Sequence, residues 1–139
     1  MEEIFLTGRI LVGGYYLFGA VHHFADLGKL ARYAGAAGVP IPQVAVAVSG
    51  LLLVVAGLSF ILGMYPDIGI AALVLFLVPV TVMMHAFWSD HDPMTRQMNI
   101  VNFSKNVALL GSGLMFAMVP RPWAYSLERR SHLPVKVPV

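Results

Sequence analysis

Four stretches of this chain are apolar for long enough to cross a bilayer: residues 4–24, 44–64, 68–88 and 98–119. Each holds about 21 residues, roughly 32 Å of helix at 1.5 Å per residue, against a hydrocarbon core roughly 30 Å thick. The rest of the chain is too short to cover such a core in water. The pattern therefore predicts an all-α integral membrane four-helix bundle over residues 1–119, followed by a tail at 120–139.

The connections carry their own signals. Residues 25–43 are too polar to span, yet Leu27, Leu30, Ala31 and Ala34 recur at helical spacing with Lys29 and Arg32 on the other side. A short helix lying in the interface is expected there, with Asp26 as its N-cap and Gly38-Val39-Pro40-Ile41-Pro42 as its end. Tyr65-Pro66-Asp67 is a tight hairpin that makes the second and third spans antiparallel neighbours, and residues 89–95, with Asp90-His91-Asp92-Pro93, form another short turn. Pro79 removes the hydrogen bond to the Leu75 carbonyl and is expected to bend the third span. Ser59-x-x-x-Gly63 and Gly113-x-x-x-Ala117 fit the small-xxx-small form that lets membrane helices approach closely.

The fourth span opens on a polar run. Asn99, Asn102 and Asn106 recur at three- and four-residue steps with Lys105 beside them, so they stripe one side of a helix. Amides and an ammonium in hydrocarbon are costly unless they meet partners or a cavity, which marks the run as a candidate site. Antiparallel threading brings its neighbours into the same leaflet: His22 and His23 end the first span, and His85 and Trp88 end the third. Asp90, His91 and Asp92 lie in the adjoining turn.

One polar pocket open toward the loops is the economical arrangement. His23, His85, Trp88, Asn102, Lys105 and Asn106 are its expected ligand-binding residues, and Asp26, Asp90 and Asp92 its rim or proton relay. His22 and His91 read as solvated interfacial histidines. Arg9, near the start of the first span, is expected to be a structural anchor that snorkels to the interface. No residue is assigned a catalytic role.

Composition narrows the function classes. Hydrophobic residues make up 58% of the chain and charged ones 12%, about half the share of roughly a quarter in soluble domains. A net charge of +2 without a basic block argues against nucleic acid as a partner. There is no cysteine, which excludes disulfides, thiol exchange and cysteinyl metal sites. The start, Met1-Glu2-Glu3, lacks the basic character of a signal peptide, so the first span is expected to be retained. Beyond Pro120 the tail carries Arg121, Arg129, Arg130 and Lys136, with Trp123 and Tyr125 suited to the headgroup belt. That basic bias predicts a cytoplasmic C-terminus and, after four spans, a cytoplasmic N-terminus.

Gly8-Arg9-Ile10-Leu11, His22-His23-Phe24, Tyr33-Ala34, Gly38-Val39-Pro40, His85-Ala86-Phe87-Trp88 and Asn102-Phe103-x-Lys105-Asn106, leading into Leu109-Leu110-Gly111, occur in this order along the chain. Together they resemble the DoxX family of small bacterial membrane proteins, over about residues 5–118. The resemblance implies a four-span protein of the bacterial cytoplasmic (inner) membrane linked to oxidoreductase systems, among them a thiosulfate:quinone oxidoreductase with related subunits. It also implies that His23, His85, Asn102, Lys105 and Asn106 are recurring polar positions of the family. The extended tail departs from it.

The expected function is a membrane subunit of a quinone-linked oxidoreductase system. Phe87, Trp88 and Phe103 would wall a quinone, His85, Asn102 and Lys105 would donate to its carbonyls, and His23 with the rim aspartates would carry protons. Nothing in the chain carries an electron alone, so a cofactor or partner subunit is required. Haem b between His23 and His85 is the weaker reading, because both lie near helix ends, and no metal is expected, since His85, His91 and Asp92 match no ligand motif. The alternative is a non-catalytic scaffold, assembly or chaperone-like subunit whose polar stripe binds another protein's helix or a lipid headgroup. Expected partners are the lipid bilayer and other redox-complex subunits or further copies of the chain.

Overall fold

The computed structural model describes residues 1–128. They form α1 (Glu2–Ala25), α2 (Leu27–Ala36), α3 (Pro42–Leu62), α4 (Pro66–Met84) and α5 (Pro93–Met115), with 3-10 turns at Phe87–Ser89 and Phe116–Met118. Four helical segments are long and apolar enough to cross a membrane: Glu2–Ala25, Pro42–Leu62, Pro66–Ser89 and Pro93–Met118. The expected all-α, four-span architecture is the one observed. The short helix α2 also lies where the pattern places it, with Ala31 and Ala34 buried against Val46 while Lys29 and Arg32 stay exposed. Asp26 occupies its N-cap position, but the carboxylate makes no capping hydrogen bond.

Two boundaries differ from the apolar pattern. Helix α4 ends at Met84 rather than near residue 88, and His85 is its C-cap. Helix α5 begins at Pro93, before its apolar part, because the Asp92 carboxylate accepts from both the Thr95 amide and the Thr95 hydroxyl at 2.8 Å. Proline at the first helical position loses no bond that the helix would have used. Hydropathy cannot register a polar first turn that is held by its cap.

Helix α3 is the centre of the bundle. It packs most extensively on α1 and next on α4, and 39% of its apolar window is buried. Glycines permit the α1–α3 crossing: a Cβ on Gly13 would lie 2.7 Å from the Gly57 carbonyl oxygen, and one on Gly57 2.8 Å from that of Gly13. Around this crossing, Tyr16, Leu53, Ala56, Phe60, Leu73 and Leu77 form the core. The α3–α4 hairpin is tied by the Ser59 hydroxyl, 2.7 Å from the Met64 carbonyl and 3.1 Å from that of Tyr65. Helix α5 packs chiefly on α4, and only 11% of its apolar window is buried.

Arg9 does not snorkel. It is fully buried, with Nε donating to the Phe60 carbonyl at 2.8 Å, Nη2 to that of Ile61 at 2.9 Å and Nη1 to that of Ala124 at 2.6 Å. The reason is local: α3 ends at Leu62, so its last carbonyls lack helical partners, and a guanidinium carries five donors in a fork. Trp123 is likewise not a headgroup-belt residue. It is buried at 1% exposure, packed on Phe5, Phe60 and Phe116, with its ring 5.3 Å from the Arg9 guanidinium carbon. The tail thus begins as part of the bundle, and Arg121 pairs in bidentate fashion with Asp67 at the start of α4. Arg129, Arg130 and Lys136 lie outside the described residues.

Three outcomes follow for stability in detergent. Gly57→Val should lower it by about 1–3 kcal/mol through overpacking, whereas Gly14→Ala, with open space at its Cβ position, should leave the thermal midpoint unchanged. Arg9→Met strips the donors from buried carbonyls and should cost at least about 2 kcal/mol. Thermal unfolding followed by tryptophan fluorescence checks all three.

Candidate functional site

A partly open cavity lies where α1 ends, α2 crosses and α3 begins. Its volume is about 310 Å³, and it is walled mainly by apolar side chains, among them Leu30, Val39, Val46, Leu52, Phe76 and Met83. Four polar residues interrupt that wall: His23, Tyr33, Ser49 and His85. Pro79 and Leu75, the residue whose carbonyl lacks its i+4 amide donor, line the α4 side.

Both imidazoles are held the same way. His23 Nδ1 lies 2.8 Å from the Gly19 carbonyl, and the ring stands edge-on to Phe76 with centroids 5.8 Å apart. His85 Nδ1 lies 3.2 Å from Asn99 Oδ1, and Asn99 Nδ2 donates to Asp90 Oδ2 at 2.8 Å. Each partner is an oxygen acceptor, so the proton is assigned to Nδ1 in both rings and Nε2 carries the lone pair of the neutral form. The Asp90–Asn99–His85 chain fixes the orientation of a cavity residue from the α4–α5 turn.

The other expected site residues lie elsewhere. Asn102, Lys105, Asn106 and Trp88 do not line the cavity. Asn106 is buried, whereas Lys105 is exposed on the outer side of α5, with Nζ 3.1 Å from Asn102 Oδ1. Neighbouring positions on a helix are turned by roughly 100°, so a stripe that brings Asn99 and Asn106 inward turns Lys105 out. Its stem leans toward the helix N-terminus, which is why the ammonium meets Asn102 one turn back. Trp88 is 58% exposed in an aromatic group with Phe87 and Phe103, at centroid distances of 5.2 and 6.0 Å. Asp26 is exposed at the α1–α2 junction. Asp92 caps α5, and the Thr95 amide, then its hydroxyl, hold that carboxyl below its ordinary range. The expected single pocket is therefore divided in two: an apolar cavity edged by His23 and His85, and an outer α5 face bearing Lys105.

Sequence reasoning did not select Tyr33, Ser49 or the bridging role of Asn99. A signal for Tyr33 was present in the motif Tyr33-Ala34, since His23, Tyr33, Ala34, Val39 and His85, drawn from four separate motifs, all line the cavity.

The DoxX family profile matches residues 4–86, more than half of the chain. The chain belongs to the DoxX family. The matched DoxX region covers α1 to α4 and both cavity histidines, and it ends before α5. The chain is also similar to inner membrane protein YphA of Escherichia coli (strain K12), with 25% identity over 127 residues, 91% of this chain and 89% of that protein. No solved structure matches it.

The Asp92 cap gives a pH signature. A carboxyl with a lowered folded pKa adds stability above its unfolded value of about 3.9, and that contribution is lost as pH falls through the folded value. Protection of the Thr95 amide from hydrogen exchange, corrected for intrinsic rate, should be constant near neutrality and fall below about pH 4. In Asp92→Asn that acid-driven fall should vanish.

Proposed function

We propose that this DoxX-family protein is a bacterial inner-membrane subunit of a quinone-linked oxidoreductase system, and that it binds a quinone or quinol head group in the cavity between α1 and α4. The observation that carries this reading is the pair of imidazoles, His23 and His85, whose Nδ1 atoms are both engaged at the edge of one apolar space. The inner-membrane placement is supported by the YphA relative.

The residues present fit such a group. The volume, about 310 Å³, is at the small end of the roughly 300–1,000 Å³ usual for ligand pockets, enough for one ring with an isoprenoid tail leaving toward lipid. An apolar wall with few polar groups suits a flat, weakly polar ring. Neutral imidazoles with Nδ1 occupied accept at Nε2 from a hydroxyl, and imidazoliums donate there to a carbonyl oxygen. His85 and His23 can thus hold the proton that a head group gains or gives up, while Asn99 and Asp90 keep the His85 ring in place. Bound quinone would supply the electron-accepting chemistry; electrons come from a partner subunit, because no side chain here is suited to carry them.

Thermal shift of the purified protein with decylubiquinone tests the reading. Wild type should be stabilised by the quinone. Ala34→Phe, which fills the cavity, should abolish the shift, and His85→Phe should weaken binding about five- to tenfold for the loss of one hydrogen bond worth about 1–1.5 kcal/mol. Lys105→Met should bind as wild type. A shift that survives Ala34→Phe, or disappears in Lys105→Met, would refute the assignment; a Soret band in the purified protein would replace quinone by haem.

A further inference from the structure

The outer face of α5 combines three features that lipid alone does not explain. First, Lys105 stands seven residues past Met98, where the apolar stretch of this span begins, roughly 10 Å inside that end. It is exposed, it bonds only to Asn102 of its own helix, and no carboxylate among the described residues pairs with it. A lysine costs roughly 2.5–3.5 kcal/mol at the centre of a membrane helix on insertion scales, and less at this depth, where snorkelling relieves it in part. Second, Ser104, Ala108 and Ser112 follow at four-residue steps beside Lys105, with Gly111 between. Third, Gly111 has no internal reason to be glycine. A Cβ there would meet nothing within 4 Å, whereas one on Gly113, which faces α4, would lie 2.3 Å from Leu73. The whole span is the least buried of the four, at 11% of its apolar window.

We infer that this face of α5 docks a helix of a different membrane protein, one that carries an aspartate or glutamate at the depth of Lys105. Charge complementarity selects that occupant. A second copy of this chain, related by a two-fold axis normal to the membrane, would set Lys105 against Lys105 at equal depth, and α5 contains no acidic residue to separate them. A lipid phosphate satisfies an ammonium near the headgroups but makes no use of Ser104, Ala108 and Gly111. A helix with its own small residues can approach those positions closely while its carboxylate meets the ammonium in a low dielectric, where the pair is strong. The docking face is separate from the cavity, so failure of the quinone reading leaves it standing.

Site-specific photocrosslinking in membranes of the native host tests the inference, with a photoreactive residue in place of Ser104 or Ala108 in the full-length chain. The expected product joins α5 to a membrane span of another protein, and the mapped crosslink falls within one turn of an Asp or Glu. Lys105→Met should abolish the product while leaving the thermal midpoint of the purified protein unchanged. Lys105→Glu combined with lysine at the partner's acidic position should restore it. Crosslinks to a second copy of this chain, to lipid alone, or to a span without an acidic residue would each overturn the inference, as would a product that persists in Lys105→Met.

Discussion

The guanidinium of Arg9 is the interaction on which the rest of the molecule depends. A fully buried cation within a membrane span is tolerable only when its donors are satisfied, and Arg9 meets carbonyls of Phe60, Ile61 and Ala124 with the rings of Phe5 and Trp123 beside it. These contacts join the start of α1, the end of α3 and the segment after α5, three parts of the chain with no sequence proximity. Gly63 completes the arrangement. It is left-handed at φ 65°, and a Cβ there would lie 2.5 Å from Arg9 Nη2. That end of the bundle is thereby tied together, and the cavity lies at the opposite end, where α2 crosses.

Much of this was legible in the sequence. Spans, the amphipathic α2 and the α3–α4 hairpin follow from hydrophobic period and turn residues, because those signals are local. What was not legible depends on which way a polar side chain turns. Lys105 and Asn106 are adjacent, and a stripe drawn through the polar run places both on one side, yet one is exposed and the other buried. Burial of Arg9 was hidden for a different reason. Its partners are main-chain carbonyls, which leave no trace in composition, and one belongs to a tail residue whose return to the bundle no pattern announces.

The division of the polar residues also fits the extent of the family match. The DoxX region at residues 4–86 contains every residue that lines the cavity, since the last of them is His85. Helix α5 lies outside that match and contributes to the cavity only through Asn99, by its bond to His85. An internal site carried by α1 to α4 and an outward surface carried by α5 are therefore distinct in sequence as well as in space.

They are nonetheless mechanically joined. The rotamer and tautomer of His85 are set by Asn99, and Asn99 is set by Asp90 in the turn that leads into α5. Helix α5 packs chiefly on α4 and is the least buried of the spans. The 3.2 Å hydrogen bond between Asn99 and His85 is the link by which the position of α5 reaches an imidazole at the cavity edge. The helix least buried in the bundle is thus the one that orients a histidine at the proposed site.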